Sequence, residues 1–349
     1  MTDTSSGSVV WGALALRPGG AGVQTYQREL IRAAVGAGSG RTFAAVVQHD
    51  VVDELPPAVA PLGRPVTTGA RRAVSGLRPV RLDGVFHSLD VDLPVGQRGP
   101  CVSTVHDMSA FDTPWAFGAV RARAGRALLR RSMRRADAVI AVSAFTADRI
   151  RELTGRTATV TPLAPAGWTR VPGHDEVEAV RRKYDLPDRF VLQLGTLEPG
   201  KNPHVVAESA RDLGVPMVLG GAGTDGPNRP PGSLGLGFVD QSDVPALYRA
   251  ADVVTYASRY EGFGLPPVEA MACGGVVAAS GVGGIPESVG DGAVVVGGYT
   301  VGSWTPVLRE LLEDRGRRAE LRAEAARVVR ARTWDAVAAE TLTVYDSVG

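Results

Sequence analysis

The sequence predicts an α/β protein built from two parallel-sheet domains. Its 349 residues exceed a usual single hydrophobic core, and two domains of about 170 residues are the natural division. Short apolar runs of strand length alternate with helical patterns in both halves of the chain, which is typical of doubly wound sheets. Glycine-rich or polar segments follow several of these runs, at the sheet edge where such folds bind ligands. We therefore expect two Rossmann-like domains that face a central cleft.

The composition argues against several functional classes. Basic and acidic residues nearly balance, and the net charge of +1 gives no global electrostatic reason to expect nucleic acid as a partner. Cys101 and Cys273 are the only cysteines, and they fall in different predicted domains, so we expect two buried thiols and neither a disulfide framework nor a zinc site. No basic segment followed by an apolar run opens the chain, and no run approaches about 18 apolar residues. We expect a cytoplasmic protein.

The first predicted unit is a strand, a glycine loop and a helix. Val9–Leu16 reads as a buried strand, Arg17–Gly22 as the loop and Tyr26–Val35 as the helix, an arrangement that favours phosphate at the helix start. Gly20 and Gly22 resemble part of a dinucleotide fingerprint, but Thr25 stands where the third glycine belongs. A plain tight turn remains the alternative.

The next predicted strands lead to a histidine. Phe43–Val47 and Gly84–His87 read as short strands, and the proline-rich region 55–79 between them has no clear assignment. Pro100–His106 reads as a buried strand that ends in His106 and Asp107. Polar residues in this position usually point into the ligand crevice, and the alternative is a mutually hydrogen-bonded His-Asp pair.

An arginine-rich helix is predicted over residues 117–135. It carries seven arginines, at positions 121, 123, 126, 130, 131, 134 and 135, and no acidic residue. A partial apolar stripe makes it amphipathic, and basic amphipathic helices can lie on anionic membrane surfaces or bind acidic acceptors. The alternative is a solvated helix whose arginines pair with acidic residues elsewhere.

The chain then passes from the first predicted domain to the second. Ala136–Val142 reads as a strand, with Ser143 as the cap of the following helix. Val160–Pro165 leads into a linker that is proline-rich as far as Pro172. We predict a first domain over residues 1–168, of which residues 1–7 are expected to be disordered, and a second over residues 169–334.

The second half opens with a candidate phosphate-binding loop. After a predicted helix over Glu176–Tyr184, Arg189–Leu194 reads as a buried strand followed by GTLEPGKN, residues 195–202. Lys201 in such a loop can neutralise a diphosphate as a point charge. Further predicted elements are a strand at Met217–Gly221, a helix at Asp243–Arg249, a helical stretch at Ser303–Arg332 and a last helix from Thr333-Trp334.

Two carboxylates bracket a glycine turn near the end of the second half. Gly262 and Gly264 flank Phe263 between Glu261 and Glu269, and such a turn lets a ligand approach the main chain. Pro266-Pro267 predicts a helix start that leaves Glu269–Ala272 as the first turn. The helix N-terminus favours phosphate, whereas carboxylates accept hydrogen bonds from hydroxyl groups. Both demands together indicate a nucleotide sugar, and a surface turn is the alternative.

The segment EGFGLPPVEAMACG, residues 261–274, resembles the signature of the family 4 glycosyltransferases. The segments VSTVHDMSAFDTP, ADAVIAVSAFTADRI, GTLEPGKN and LGFV are also similar to that family, so the resemblance extends from Gly19 to Trp334. It implies the GT-B fold, in which a last helix, here residues 335–349, crosses back to complete the first domain.

The resemblance also implies roles for single residues. Lys201 and the main chain of Gly262, Phe263, Gly264 and Leu265 would hold the diphosphate. Glu261 would bind hydroxyls of the donor sugar and Glu269 the ribose, while His106 would contact the sugar from the first domain. Lys201, Glu261 and His106 are thus the predicted catalytic residues.

Further donor contacts follow from the same resemblance. Gly20 and Gly22 would form the glycine loop, with Tyr26 facing the cleft, and Phe238 and Val239 would lie beside the nucleotide base. Thr196 and Gly200 stand where relatives often carry a phosphate-binding arginine, so the second cation is in doubt. Arg259 and Arg229 are the candidates to supply it.

The implied function is a retaining, metal-independent hexosyltransferase that needs no cofactor. GDP-mannose is the first expected donor, followed by UDP and dTDP sugars. The acceptor would be a hydroxyl of a bacterial glycan, a lipid-linked precursor or a specialised metabolite. The alternatives are a catalytically silent nucleotide-binding or membrane-tethering protein and a nucleotide-sugar epimerase. A pyridoxal phosphate phosphorylase is disfavoured, because Lys183 lacks suitable surroundings for a Schiff base.

Overall fold

Every strand pairing among the described residues, 7–20, 22–80, 84–91 and 93–349, is parallel. In this computed structural model the chain divides into two units. The first comprises Met1–Leu163 and Thr333–Gly349, and the second comprises Ala164–Arg332. Apart from Gly7, the predicted disordered segment lies outside the described residues.

The first unit contains a seven-stranded sheet in the order β3-β2-β1-β4-β5-β6-β7. Apolar side chains on both faces are buried, as expected when helices cover a parallel sheet. Its strands are β1 (Ser8–Gly12), β2 (Thr42–Gln48), β3 (Val59–Arg64), β4 (Gly84–Ser88), β5 (Cys101–Val105), β6 (Ala138–Ala141) and β7 (Thr159–Val160). Its helices are α1 (Val23–Gly36), α2 (Gly69–Gly76), α3 (Ser109–Asp112), α4 (Ala119–Arg135), α5 (Ala144–Thr154) and the C-terminal helix α13 (Trp334–Val348).

The second unit contains a six-stranded sheet in the order β10-β9-β8-β11-β12-β13. Its strands are β8 (Val191–Leu194), β9 (Met217–Gly220), β10 (Leu234–Gly235), β11 (Val253–Tyr256), β12 (Val277–Ser280) and β13 (Ala293–Val296). Its helices are α6 (His174–Lys183), α7 (Pro203–Asp212), α8 (Val244–Ala250), α9 (Leu265–Ala272), α10 (Ile285–Val289), α11 (Val301–Glu313) and α12 (Arg315–Arg330). Two Rossmann-like α/β domains are therefore present, as the sequence predicts.

Several element boundaries follow from local chemistry. Ser143 caps α5, since its Oγ accepts from the Thr146 N–H at 3.0 Å. Asp314 breaks the predicted helix at Ser303–Arg332 into α11 and α12, because its carboxylate caps the second helix through the Arg317 N–H. The region 55–79 without a sequence assignment forms β3 and α2. Both cysteines are free and buried, as expected.

A buried chain of hydrogen bonds joins α13 to the first sheet. The Trp11 indole N–H donates to the Tyr345 hydroxyl at 3.0 Å, and that hydroxyl lies 2.6 Å from His87 Nδ1. The Tyr345 oxygen accepts from the indole, and the arrangement that also gives its own proton an acceptor has the Tyr345 O–H donating to His87 Nδ1, with the His87 proton on Nε2. Nε2 then donates to Thr104 Oγ1 at 2.8 Å, and Thr104 bonds to the Tyr26 hydroxyl at 2.8 Å.

This arrangement makes acid stability depend on His87. Burial, helped by the nearby His106, lowers the pKa of His87 to about 3. Below the unfolded-state pKa of about 6.5 the unfolded chain binds a proton that the folded chain does not, so stability falls as pH decreases towards 3. Between pH 7.5 and 5, we expect the wild type to lose roughly 2 kcal/mol more unfolding free energy than His87→Gln. Urea titrations at the two pH values measure this, and equal losses would exclude His87 as the titrating group.

Candidate functional site

The structure brings Lys201 and Glu261 into contact. β8 and β11 are parallel neighbours, so the loops after both strands lie at the same carboxyl edge of the sheet. Lys201 follows β8, Glu261 follows β11, and Lys201 Nζ lies 2.6 Å from Glu261 Oε1. The two side chains are only 32% and 19% exposed, so the pair is partly shielded from water. A cation and a carboxylate aimed at one point can bind phosphate and hydroxyl groups of one ligand.

Two hydrogen bonds hold this pair in position. The Arg259 N–H donates to the Gly200 carbonyl at 2.8 Å and joins the two loops directly. The buried Ser258 hydroxyl donates to Glu261 Oε1 at 2.7 Å. The same carboxylate oxygen therefore receives both Lys201 and Ser258. Sequence reasoning missed Ser258, whose only signal is its position at the carboxyl end of β11, three residues before Glu261.

The turn after Glu261 is supported by glycines of a neighbouring loop. The Gly284 N–H donates to the Glu261 carbonyl at 3.0 Å. A Cβ at Gly283 would lie 1.9 Å from Glu261 O, and one at Gly284 would lie 2.3 Å from Gly262 O. No side chain fits either gap, so the Gly283-Gly284 pair supports the turn by packing backbone against backbone.

Helix α9 begins earlier than the sequence suggested. Gly264 adopts φ 93° as the N-cap, and the helix starts at Leu265 with both prolines in its first turn. The prediction that Glu269–Ala272 form the first turn is therefore wrong, because proline is tolerated throughout a first turn whose N–H groups have no helical acceptor. The first-turn N–H group that remains available is that of Leu265, beside the Glu261–Gly264 turn.

Glu269 lies in the second turn of α9 and is only 8% exposed. Its neighbourhood includes the Tyr248 and Tyr256 hydroxyls, which bond to each other at 2.9 Å. Burial is the main cause that raises the pKa of both tyrosines, and the charge of Glu269 contributes. A carboxylate in these surroundings is suited to accepting hydrogen bonds from neutral hydroxyls.

Phe263 and Leu265 belong to the core rather than to an open surface. Phe263 is 4% exposed and lies beneath the Arg332 guanidinium, whose carbon is 5.5 Å from the ring centroid. Leu265 is 5% exposed. Only their main-chain groups can therefore take the predicted donor-binding role.

The loops that carry Thr196 and Phe238 each bond to the loop after β9, at the same sheet edge. The Gly195 N–H donates to Gly220 O at 2.8 Å, and the Gly221 N–H donates to Gly237 O at 2.7 Å. Thr196 is exposed, and the Phe238 side chain is 77% exposed.

Val239 differs from its neighbour Phe238. It is half-buried and packs against the hydrophobic core beside β8. The Phe238 ring is thus exposed to solvent, whereas the Val239 side chain anchors the loop to the core.

Asn202 is a second residue that sequence reasoning missed. It adopts φ 47° directly after Lys201 and is the N-cap of α7. Its Nδ2 is buried and has no hydrogen-bond partner among the described residues. An Asn before proline at the end of a candidate phosphate loop is the sequence signal that points to it.

His106 is fixed at the end of β5 in the first unit. Its Nε2 lies 2.9 Å from the Leu89 carbonyl, which can only accept, so Nε2 carries the proton and Nδ1 is left as an acceptor in the neutral ring. Asp107 instead accepts from the Ser109 N–H at 2.8 Å and from its hydroxyl. The structure thus shows no hydrogen-bonded His106–Asp107 pair among the described contacts.

The resemblance implied that Tyr26 faces the cleft, but its side chain lies inside the first unit. It is fully buried, and its ring packs edge-on against His106 with 4.8 Å between the centroids. The reason is its position on the inner face of α1, where the hydroxyl reaches Thr104. Tyr26 supports His106 from behind.

The glycine loop follows β1 at the same carboxyl edge of the first sheet. Gly22 adopts φ 65° and is the N-cap of α1, whose first turn holds no acidic residue. Gly20 is closely packed, since a Cβ there would lie 2.8 Å from the Gln24 side chain. A helix start of this kind accepts an anion without repulsion. The predicted strand at Val9–Leu16 is shorter here, because Ala13–Leu16 is buried as a turn.

Among the described residues, no cluster of His, Cys, Asp and Glu is arranged to hold a metal ion. Asp90 of the Asp90-Val91-Asp92 sequence pairs with Arg72 at 3.5 Å, and Asp92 lies outside the described residues. No helix within those residues has the length and apolar character needed to cross a membrane.

The arginines of α4 mostly contact carbonyls and rings rather than acids. Arg131 donates to the Leu93 and Pro94 carbonyls, the latter at 3.1 Å, and Arg130 lies 5.0 Å from the Phe111 ring centroid. Within the described part of the chain, Arg135 with Asp137 is the one ion pair that the helix makes. Arg121, Arg123, Arg130 and Arg134 are exposed.

Comparison with known families gives two matches. Residues 233–328 match the family described as "Glycosyl transferases group 1", and residues 21–163 match "Glycosyltransferase Family 4". The matches together span more than half of the chain and include the His106, Glu261 and Glu269 positions.

Relatives in sequence include two glycosyltransferases. O-antigen chain mannosyltransferase B of Escherichia coli is 29% identical over 79% of this chain and 77% of its own length. D-inositol 3-phosphate glycosyltransferase of Salinispora tropica is 38% identical over 47% of this chain and 40% of its own length. The chain thus spans less than half of the second relative.

Solved structures share the fold over nearly the whole chain. Sucrose-phosphate synthase from Thermosynechococcus elongatus gives a TM-score of 0.78 at 19% identity and covers 98% of both chains. Anabaena HepE in complex with UDP and glucose gives 0.72 at 18% identity and covers 98% of this chain and 100% of that one. At these identities the likeness shows the fold alone.

Proposed function

Because the chain belongs to the family 4, group 1 glycosyltransferases and has the GT-B fold, we propose that it transfers a hexose, with retention, from a nucleoside diphosphate sugar to an acceptor hydroxyl. The observation that carries this proposal is the contact between Lys201 and Glu261 at the carboxyl edge of the second sheet. A ligand with phosphates beside hydroxyls matches that pair. The Glu269 carboxylate adds an acceptor for ribose hydroxyls. It is buried on α9, the helix that begins after the Glu261 turn.

The main chemical demand is to stabilise charge on the departing diphosphate. Lys201 Nζ and the N–H groups of the Gly262–Leu265 turn supply positive potential there. The bond between the anomeric carbon and the phosphate oxygen breaks while the acceptor oxygen attacks from the same face. The departing phosphate oxygen is then the nearest base for the acceptor proton. No metal or cofactor takes part in this scheme.

Glu261 acts in binding rather than as an acid or base. Its Oε1 already receives Lys201 and Ser258, and these two donors hold the carboxylate in place. Its other oxygen accepts from hydroxyls of the donor sugar. His106 contacts the sugar through Nδ1, which the bond from Nε2 to Leu89 leaves as an acceptor. Arg259, whose main chain joins the Lys201 turn, is the first candidate for the second phosphate cation.

GDP-mannose is the proposed first donor, followed by UDP and dTDP sugars. Support comes from the similarity to a mannosyltransferase over most of both chains, and UDP stands second because a structural neighbour contains it. The acceptor is a bacterial glycan, a lipid-linked precursor or a specialised metabolite.

Nucleotide binding is expected to raise the melting temperature. GDP, UDP and dTDP are each added at high concentration. At about 100 times its Kd, the preferred nucleotide should raise the free energy of unfolding by roughly 2.7 kcal/mol, which raises the melting temperature by several degrees. Glu269→Ala should lose the shift, because the ribose hydroxyls then have no buried acceptor. The matching monophosphate is the control and should give a smaller shift, since it lacks the phosphate that Lys201 holds. No shift with any diphosphate would contradict the proposed function.

We further propose that α4 contacts anionic membranes. Four of its arginines are exposed, Val120 in its first turn is 81% exposed, and Trp115, which lies four residues before the helix, is 55% exposed, a combination of basic and apolar groups that suits a lipid surface. Vesicles with phosphatidylglycerol should sediment the protein at low salt, and an Arg123→Glu/Arg134→Glu variant should remain in solution. The contact would be contradicted if the variant sedimented with these vesicles as the wild type does, or if the wild type bound vesicles that contain only phosphatidylcholine.

A further inference from the structure

Two directional contacts hold the His106 ring among the described residues. Its Nε2 lies 2.9 Å from the Leu89 carbonyl, and the Tyr26 ring meets it edge-on, with 4.8 Å between the centroids and 79° between the planes. The hydrogen bond fixes one ring atom but leaves the ring free to turn about that atom. The Tyr26 contact removes this freedom, because an edge-on pair of rings has a preferred relative orientation. Tyr26 therefore sets the direction in which His106 Nδ1 points.

Tyr26 is in turn fixed at its hydroxyl end. The side chain is fully buried, and its oxygen lies 2.8 Å from Thr104 Oγ1. Because Thr104 Oγ1 also lies 2.8 Å from His87 Nε2, the Thr104 hydroxyl cannot rotate without breaking one of two buried bonds. Thr104 is two residues before His106, and side chains two apart in an extended segment share one side of the backbone. The Tyr26 side chain thus spans from Thr104 to His106.

The C-terminal helix α13 holds this group at two points. Its first residue, Trp334, packs against the Tyr26 ring with 6.1 Å between the centroids. About three turns further on, roughly 16 Å along the helix, the Tyr345 hydroxyl lies 2.6 Å from His87 Nδ1. The buried Trp11 indole donates to the same hydroxyl at 3.0 Å. The position of α13 therefore determines where Tyr26 and His87 lie.

Stability alone does not account for so many polar groups in this place. The Trp11, His87, Thr104 and Tyr345 side chains are at most 1% exposed, and apolar side chains of similar shape can replace a buried hydrogen-bonded pair at little cost. A hydrogen-bonded chain differs from an apolar core because it specifies one arrangement of its members. A fixed arrangement matters where a neighbouring side chain must keep its direction. His106 is that neighbour.

We propose that Tyr26 is a positioning residue for His106, and that α13 keeps Tyr26 in place through Trp334 and Tyr345. His106 Nδ1 is then held as an acceptor for one hydroxyl of the donor sugar, and the ring needs no rearrangement when the donor binds. The inference rests on the proposed function, which has His106 contact that sugar. It assigns a role in donor binding to side chains of α1 and α13 that do not touch the donor.

The test compares the binding of a nucleoside diphosphate with that of its hexose conjugate. GDP and GDP-mannose are titrated calorimetrically into the full chain, or the corresponding UDP or dTDP pair if that nucleotide gives the melting shift. Because GDP lacks the sugar, the ratio of its Kd to the Kd of GDP-mannose reports on the sugar contacts. His106→Ala should lower this ratio roughly tenfold, and Tyr26→Leu should lower it about as much. Tyr26→Phe keeps the ring and should retain most of the ratio.

A double-mutant cycle separates positioning from a loss of structure. In the His106→Ala background, Tyr26→Leu should not change the ratio further, because no ring is left to position. Phe86→Leu is the matched control, since it also replaces a buried aromatic side chain of the first unit. Phe86 and His87 are neighbours in β4 and point to opposite faces of the sheet. Phe86→Leu should therefore lower the melting temperature and leave the ratio unchanged.

Two variants of α13 decide the question if Tyr26→Leu does not fold. Tyr345→Phe preserves the volume of the side chain but removes the bond to His87. Trp334→Leu removes the half-buried ring that packs against Tyr26. Each should lower the ratio roughly threefold and leave the Kd of GDP as it is in the wild type.

The inference and the proposed function fail by different results. If His106→Ala lowered the ratio while the folded Tyr26, Tyr345 and Trp334 variants did not, the proposed function would stand and the inference would be overturned. An equal loss in Phe86→Leu would also overturn it. If His106→Ala kept the wild-type ratio, the contact between His106 and the sugar would be wrong, and the inference would fall with it.

Discussion

Replacing Lys201 by alanine is expected to lower kcat by roughly 10² to 10³. The lysine is held 2.6 Å from Glu261 at the point where the diphosphate would lie, and no other cation stands in the loop over residues 195–202. Charge on the leaving phosphates develops mainly in the transition state, so the loss should appear in kcat more than in KM. Initial rates with the donor chosen by the melting experiment measure both constants.

The chain offers a matched control for this substitution. Lys183 is the only other lysine, and it pairs with Asp240 and Asp243 on the surface of the same unit. Lys183→Ala should therefore turn over as the wild type does. Lys201→Arg should recover part of the rate, because the charge returns while the point geometry of the ammonium does not. Wild-type turnover by Lys201→Ala would remove Lys201 from the mechanism.

The charged residues of the candidate site in the second unit could be identified from the sequence. Lys201 and Glu261 each follow a strand whose apolar pattern is strong, so their common sheet edge could be predicted, and Glu269 lies on the helix that begins after the Glu261 turn. Ser258 and Asn202 could not be assigned in the same way. The bond from Ser258 to Glu261 and the unpaired amide of Asn202 depend on side-chain geometry that no spacing rule reports.

The first unit shows a different limit of sequence reasoning. β3 is an edge strand that contains Pro61 and Gly63 and has exposed side chains at most positions, so it lacks the apolar alternation that identifies a strand. Without β3, helix α2 could not be recognised as the crossover to β4. Tyr26 was misplaced for a related reason, because the glycine loop indicates where α1 starts but not which face of it is buried.

Gly284→Ala is expected to lower kcat/KM by roughly 10² through displacement of the Glu261 turn. Gly284 has an ordinary helical φ of −81°, so alanine brings no backbone strain. Its Cβ would, however, lie 2.3 Å from the Gly262 carbonyl oxygen, and that backbone cannot rotate away as a side chain can. The turn must shift, and the Glu261 carboxylate and the N–H groups beside it shift with it. Initial rates and nucleotide-dependent melting measure the effect.

Gly297→Ala is the matched control for this substitution. A Cβ at Gly297 meets nothing within 4 Å, and its φ is not positive, so the same methyl group in the same unit should leave activity unchanged. The melting temperature without nucleotide separates a displaced turn from an unfolded chain. A Gly284→Ala protein that folds normally but loses the nucleotide shift supports a donor site built on this turn. If it binds nucleotide and turns over as Gly297→Ala does, the contact between the glycine pair and the turn has no part in catalysis.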